Sequence, residues 1–298
     1  MKCGIVDVGS NTIRLSIYCW EGRQFKLLLN KKEMAGLAGY VRGGALSEGG
    51  ILVACRVLSG FQALLRNLEI TDLHVFGTAS IRNISNTEQV LEQIYQTTGL
   101  RVVVLTGSEE AALSFKGACA GGGAEEGLLA DIGGGSTELV AYRDGAILSG
   151  CSLPLGSLSL FTRHVSGLFP TPDERRAIRD QVRSQLERAK TAGLTCRHLT
   201  GVGGTIRAAA KLCNDLAGVD PGNRTIPAGE IRALYEGLKK GDRDTMHRIL
   251  RAAPDRVHTI LPGLLILNTV IKSYGVQTVS VSACGVREGY LLERVMGE

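Results

Sequence analysis

The chain has 298 residues, with 34 Lys and Arg against 29 Asp and Glu (net charge +5), 44% hydrophobic and 21% charged positions. That is an ordinary globular balance, and with 7 prolines and no low-complexity tract it excludes a disordered tail or a long linker; the length fits two domains of roughly 120–170 residues. No apolar run reaches the ~20 residues of a membrane span, Met1-Lys2 leads at once into a strand pattern with no signal peptide, and 5% aromatics without a nucleic-acid motif argue against a nucleic-acid or membrane partner.

In chain order, Cys3 to Tyr18 (CGIVDVGSNTIRLSIY) reads as strand, tight turn, strand, and Phe25 to Leu29 continues the sheet. Ser47 to Leu68 has helical spacing, with Ile51, Cys55, Leu58, Phe61 and Leu65 on one face. Leu73 to Gly77 is a short buried strand that runs into GTASIRN. This places Arg82 just past the carboxyl end of a strand, where open α/β sheets gather ligands. Ser85 and Glu88 form a capping-box pattern that opens a helix to about Thr98, closed by Gly99. Arg101 to Leu105 is the next strand, and Gly107-Ser108-Glu109-Glu110 opens a helix to about Ala120. The run Gly121 to Gly123 is the expected domain boundary.

Gly127 to Tyr142 (GLLADIGGGSTELVAY) is a second strand–turn–strand, followed by a strand at Ala146 to Ser152 and a short helix through Phe161. Thr171-Pro172-Asp173-Glu174 is a capping box with proline at the first helical position. It starts a basic amphipathic helix carrying Ile178, Val182, Leu186 and Ala189. His198 to Leu212 (HLTGVGGTIRAAAKL) is a strand running into glycines and then a helix. Helices follow near Glu230 to Lys239, Asp242 to Leu250 and Gly263 to Tyr274, then a strand at Val276 to Val281 and a closing helix at Gly285 to Met296. Strands alternating with helices give the fold class α/β, with mixed sheets and helical layers.

Asp7 falls on Asp131 at an offset of 124 residues, and DVGSNTIRLSIY and DIGGGSTELVAY share the acid, an aliphatic, a glycine, a hydroxyl residue, a leucine and a closing tyrosine. Two such hairpins suggest a duplicated domain with phosphate clamped between the copies. Glycine takes φ > 0 cheaply and lets another atom approach the main chain, so successive amides can form a nest for phosphate. An acid at the strand end can hold a divalent cation against that phosphate. The stretch Gly203, Gly204, Thr205 at a helix N-terminus is an anion site of the same kind. From Arg163 to Lys211 there are ten Lys and Arg against four Asp and Glu, a basic segment suited to a polyanion. The eight cysteines lack C-x-x-C spacing, and the five histidines lack metal-ligand spacing. Reduced thiols in a cytoplasmic protein are therefore expected, without zinc or disulfides.

The three glycine stretches, in this order, resemble the actin-like ATPase superfamily. DVGSNTIRLSIY, GTASIRN, TGSEEAALSF, ADIGGGSTEL, GVGGTIRAA, LPGLLIL and GVREGYLLE together resemble the exopolyphosphatase/guanosine-pentaphosphate phosphatase family, from Asp7 to Glu293. The resemblance implies a two-lobed, actin-like (ribonuclease H-like) duplicated fold with the active site in the interdomain cleft. The implied first domain spans 1–121 and the second 122–285, with a final helix at about 286–298 returning to the first. Longer relatives add a helical domain after the REG motif, so the short two-domain form is expected.

Hydrolysis of a phosphoanhydride needs a cradle, a counter-cation and a group to orient water. The cradle expected here is Gly9, Ser10 and Asn11 on one hairpin and Gly133, Gly134, Gly135 and Ser136 on the other, with Gly203, Gly204 and Thr205 behind them. Asp131, with Asp7 and Glu138 close by, is expected to hold magnesium, with manganese as the alternative and a monovalent cation as a further candidate. Glu109 and Glu110 both lie in the first turn of a helix, a position that favours negative charge. In the resembling family the catalytic glutamate stands immediately before the small residue of the EEA motif, which is Glu110 here. Arg82 matches the family's substrate-contacting arginine. The expected substrates are inorganic polyphosphate or guanosine pentaphosphate, and a homodimer is a candidate assembly. Two rivals remain open at this point: an ATP-using kinase or ATPase of the same fold, and a non-catalytic module that binds an alarmone or polyphosphate.

Overall fold

A computed structural model describes residues 1–120, 122 and 125–297. By contact the chain divides into two compact units, Met1–Glu109 with Leu291–Glu298, and Glu110–Tyr290. Of the expected boundary run, Gly121 and Gly123 lie outside the described residues. The division by contact falls earlier, inside the helix that carries the paired glutamates.

The first unit is built on β1 (Lys2–Val8), β2 (Ile13–Glu21) and β3 (Gln24–Glu33), a small hairpin β4 (Val41–Arg42) and β5 (Ala45–Leu46), helix α1 (Glu48–Asn67), β6 (Leu73–Gly77), α2 (Ala79–Arg82), α3 (Thr87–Thr98) and β7 (Val103–Val104). Its sheet runs β3-β2-β1-β6-β7. The first three strands are antiparallel and the last two join in parallel. Helix α1 buries Ile51, Ala54, Cys55, Leu58, Phe61 and Leu65, the stripe expected from its spacing, in one core with Val6, Leu15, Ile17 and Val75. At 20 residues and a mean hydropathy of 1.3, α1 is long and apolar enough to cross a membrane by length and composition, a test that a core helix also passes, and its apolar stripe here lies in the core.

Two local expectations for this unit change. The Ser85–Glu88 capping box does not open α3; Asn86 is the N-cap, without a side-chain cap bond. Its amide is drawn away to β5, accepting from Leu46 N (2.9 Å) and donating to Leu46 O (3.0 Å). The expected strand Arg101–Leu105 shrinks to two residues, which pair only with Phe76 and Gly77.

Helix α4 (Gly107–Cys119) crosses the division, and the second unit continues with β8 (Glu126–Ile132), β9 (Thr137–Arg143), β10 (Ala146–Leu153), α5 (Ser157–His164), α6 (Pro172–Glu187), β11 (His198–Val202) and α7 (Gly203–Ala217). It closes with β12 (Thr225–Pro227), α8 (Ala228–Leu238), α9 (Arg243–Ala252), α10 (Ile260–Tyr274), β13 (Thr278–Val281) and α11 (Val286–Tyr290). The sheet order is β10-β9-β8-β11-β13-β12. Three antiparallel strands followed by two parallel ones repeat the first unit, and β12 adds an antiparallel edge that the sequence reading missed. The expected single closing helix is instead α11 followed by a wider π-helical turn at Leu291–Val295. Helix α6 starts as expected, with Pro172 in its first turn and the Thr171–Glu174 capping box formed.

The duplication is visible in register. Asp7 stands opposite Arg14 and Val8 opposite Ile13, and Gly9 N donates to Thr12 O (3.1 Å). In the second unit Asp131 stands opposite Glu138 and Ile132 opposite Thr137, and Gly133 N donates to Ser136 O (3.0 Å). Every pair is displaced by the same 124 residues.

Candidate active site

The tip of the β8–β9 hairpin is held from behind by helix α5. Ser157 N donates to Gly133 O (3.0 Å), while Leu158 N and Ser159 N donate to Gly134 O (3.0 and 2.9 Å). Thus the otherwise unpartnered first amides of a helix fix the carbonyls of the glycine run. In a trans peptide the amide points opposite to the carbonyl. The Gly134 and Gly135 N–H groups are therefore turned together, away from α5, the orientation that an anion-binding tip would need. Gly156 permits this contact, since a Cβ there would lie 2.2 Å from the Gly134 carbonyl. The expected role of positive φ is corrected at Gly9 and Gly133, neither of which is left-handed; their lack of a side chain serves close approach, 2.9 Å to Thr12 O and 3.2 Å to Ser136 O from the Cβ position.

Antiparallel partners share a face of the sheet, so Asp131 and Glu138 stand side by side at the end of the hairpin. Ser114 Oγ donates to Asp131 Oδ2 (2.7 Å), and Ser152 Oγ donates to Glu138 Oε1 (2.7 Å). On α4, Glu110 lies one turn before Ser114, on the same helix face. Glu110 is 7% exposed and Glu138 1% exposed. Burial raises the Glu138 carboxyl well above the ordinary range, and the charges of Glu110 and then Asp131 push it further, against hydrogen bonds from Ser152 and Ser136. Burial also raises Asp131, opposed by the Ser114 hydrogen bond and by Arg207 and Arg287. Three acids that repel one another in a buried place favour a cation or a proton among them.

Among the described residues no group of three or more His, Cys, Asp or Glu side chains is arranged to hold a metal ion. The expected three-acid metal set is therefore not assembled as a cage. The donors present still fit magnesium, which takes one or two carboxylates and keeps waters or substrate oxygens in its other positions.

Glu109, adjacent to Glu110, does something else. It caps α4: its Oε2 accepts from Thr106 N (2.9 Å) and Thr106 Oγ1 (2.8 Å), and its Oε1 pairs with Arg294 Nη2 (3.0 Å). Those hydrogen bonds lower its carboxyl below the ordinary value.

Helix α7 starts behind the hairpin. Gly203, with φ +93°, brings its backbone beside Asp131: a Cβ would lie 2.7 Å from Oδ1. A Cβ on Gly204 would lie 2.0 Å from Arg256 Nη2, so the Arg256 guanidinium packs on the helix N-terminus. Thr205 is buried, and its Oγ1 has no hydrogen-bond partner. Helices α4 and α11 meet through glycines, Gly117 against Gly285 O and Gly289 against Leu113 O, with room for no Cβ at either place. This contact sets Ser114 Oγ 3.9 Å from the Cβ position of Gly285, and the charges of Arg287 and Glu288 reach Asp131. Gly285 N donates to Glu288 Oε2 (2.8 Å).

The remaining expected residues belong to the first unit. Asp7 ends β1 opposite Arg14, and Gly9, Ser10 and Asn11 form the hairpin tip, with Ser10 and Asn11 buried and Asn11 Nδ2 unpartnered. Gly36 N and Ala38 N donate to Asn11 O and Ser10 O (2.9 and 3.0 Å). Arg82 ends α2 and donates to Leu105 O (2.9 Å), so part of its fork ties its own unit together.

Sequence reasoning missed Ser114, Arg207, Arg256, Arg287, Glu288 and the α5 brace. Ser114 was within reach, since it lies four residues after Glu110 on a helix. Arg207 likewise follows Gly203 by one turn. Nothing local marks Arg256 or Gly156, whose roles come from packing against segments far away in the chain.

The family model described as "Ppx/GppA phosphatase family" matches residues 17–298. Exopolyphosphatase 1 of Mycobacterium leprae is 26% identical over 314 residues, covering 100% of this chain and 91% of the relative. A guanosine-5'-triphosphate,3'-diphosphate pyrophosphatase of Vibrio atlanticus is 25% identical, covering 97% of this chain and 58% of the relative. The crystal structure of the Aquifex aeolicus Ppx/GppA family member superposes with a TM-score of 0.80 at 25% identity, covering 99% of this chain and 98% of that one. The repeated sheet topology with its two Asp-Gly hairpins is the duplicated actin-like fold, and the chain belongs to the Ppx/GppA phosphatase family.

Proposed function

We propose that this protein is a phosphoanhydride hydrolase that releases the terminal phosphate of inorganic polyphosphate or of guanosine pentaphosphate by attack of water. One observation carries the reading: Glu110 and Ser114, one turn apart on α4, face the acids Asp131 and Glu138 beside amides turned outward by α5. The names of the relatives, exopolyphosphatase and guanosine-5'-triphosphate,3'-diphosphate pyrophosphatase, support the substrate class. The Gly134 and Gly135 amides bind the terminal phosphoryl oxygens. Glu110 positions the water and accepts its proton as the new P–O bond forms and the bridging P–O bond breaks. Ser114 and Ser152 hold Asp131 and Glu138 in place. Asp131 and Glu138 would hold magnesium, which supplies positive charge to the phosphoryl oxygens. Eight free cysteines support a reducing, cytoplasmic setting.

Phosphate release from long-chain polyphosphate and from guanosine pentaphosphate, each titrated with magnesium and with manganese, tests the reading. The expected result is metal-dependent release without added nucleotide, with Asp131→Asn losing most activity and shifting the metal titration. Tight binding without release would make the protein a binding module. Transfer that requires ATP and a second substrate would make it a kinase.

A further inference from the structure

The second unit carries a cavity of about 670 Å³ between α6, α8 and α10, which the reaction above does not use. That volume is in the range of small-molecule sites. Four cations line it: Arg179 and Arg183 from α6, Arg232 from α8 and Lys272 from α10. Among the described residues, no ion pair or hydrogen bond engages any of the four. Two acids are also present; Glu236 is held by Lys239, outside the cavity, and Glu187 leaves the cations in excess. The lining residues Tyr235 and Asn268 also carry two buried polar groups without partners, the Tyr235 hydroxyl and Asn268 Nδ2. Tyr235 is 5% exposed, and a buried polar group left unpaired costs free energy that a bound acceptor would recover.

The basic segment picked out in the sequence resolves into two kinds of arginine. Arg175 Nη1 donates to Pro170 O (2.7 Å) and Lys239 O (3.3 Å), and Arg176 pairs with Asp173. Arg175 thus ties its own helix start to the end of α8, and Arg176 is engaged on the surface. Arg179 and Arg183, one and two turns on, line the cavity. The unmet groups are almost all donors, so the ligand must be rich in acceptors and negatively charged. The rings of Tyr235 and Tyr274 are buried, leaving neither as an open face on which a base could stack. This favours a condensed phosphate over a nucleotide or a nucleic acid.

We propose that the cavity between α6, α8 and α10 is a second binding site for condensed phosphate, seated on Arg179, Arg183, Arg232 and Lys272 over the Tyr235 hydroxyl and the Asn268 amide. The ligand is either a free short polyphosphate or the distal stretch of a long chain. The site stands on its own cations and unpaired donors, and does not depend on the chemistry proposed for Glu110.

The test titrates the full chain with inorganic tripolyphosphate by calorimetry, without magnesium, beside Arg179→Gln/Arg183→Gln and Tyr235→Phe. The double variant is expected to bind one tripolyphosphate fewer per chain, or to bind it at least about tenfold more weakly at one site, with an unchanged melting temperature. Tyr235→Phe keeps the volume, and should weaken the same site severalfold. A higher KM for long polyphosphate, with tripolyphosphate turnover unchanged, identifies the distal stretch of a long chain as the occupant; unchanged KM values for both, with binding still lost, identify a free short polyphosphate. Identical isotherms for parent and both variants overturn the proposal, as does equal displacement by a single-stranded oligonucleotide. If no substrate releases phosphate, the proposed hydrolase fails, while calorimetry still decides this site.

Discussion

Glu109 and Glu110 are neighbours in the chain with opposite assignments, and replacing each by glutamine separates the two roles. Around a helix they lie ~100° apart. Glu110 is buried, and its charge raises Glu138. Glu109 is a cap, holding Thr106 through two hydrogen bonds and Arg294 through an ion pair. Glu110→Gln keeps the shape and removes the base, so kcat should fall ~10²–10⁴-fold, the usual contribution of a positioned proton acceptor. KM should change little, since the glycine amides and Asp131 remain. Removing one charge from the acid cluster leaves the melting temperature unchanged or raised. Glu109→Gln should leave kcat near the parent value and cost about 1 kcal/mol through the weakened cap. In a chain of this size that is a drop of about 2 °C. Steady-state phosphate release and thermal melts on the same two preparations give four numbers. If Glu109→Gln is the inactive one, the carboxylates are assigned the wrong way round. If both variants keep kcat, the base lies elsewhere.

Three further outcomes follow from the same geometry. Glu138→Gln should raise the melting temperature of the metal-free protein, because it removes a buried charge facing two others, while lowering magnesium-dependent activity ten- to a hundredfold, in the range of ~10–100-fold for groups around a metal; a lower melting temperature would contradict the like-charge account. Gly156→Ala should cost about 1–3 kcal/mol and weaken phosphate binding, because its Cβ meets the Gly134 carbonyl; a variant with parent-like melting and KM would show that α5 does not brace the nest. Glu174 is lowered to about 2 by the Thr171 amide and then by Ser166; since its folded value lies below its unfolded one, its stabilisation is present above about pH 4 and is lost as pH falls toward about 2, and Glu174→Gln should remove that part of the acid unfolding slope in pH-dependent melts.

The hairpins, their acids and the 124-residue repeat were legible because they rest on local pattern: alternation, a glycine turn and an acid at a strand end. Glu110 needed the resemblance, since first-turn glutamates are also common caps, and Glu109 is one. What the sequence could not supply was distant packing. Helix α5 reaches the glycine tip across 20-odd residues, and Arg256 reaches Gly204 across about fifty. Three glycines matter for contact rather than for backbone freedom: Gly117, Gly156 and Gly289 each sit where a Cβ would collide with another backbone. The Ser85–Glu88 cap failed for a related reason, because Asn86 is claimed by β5.

The two hairpins also give a reason why the proposed cation would fall to one copy of the duplicated fold. Their registers are the same, and so are the turn hydrogen bonds, yet the residue opposite the acid differs: Arg14 opposite Asp7, Glu138 opposite Asp131. In the first hairpin the residue across the ladder from the acid is an arginine, an opposite charge at the partner position. In the second the cross-strand partner is another carboxylate, itself buried and raised further by the charge of Glu110 from α4. A like-charged buried pair is unfavourable alone and becomes favourable only when something positive arrives. On the function proposed here, one exchange of charge at equivalent positions, Arg14 for Glu138, is what would give the second hairpin rather than the first a metal ion, on the same hairpin register.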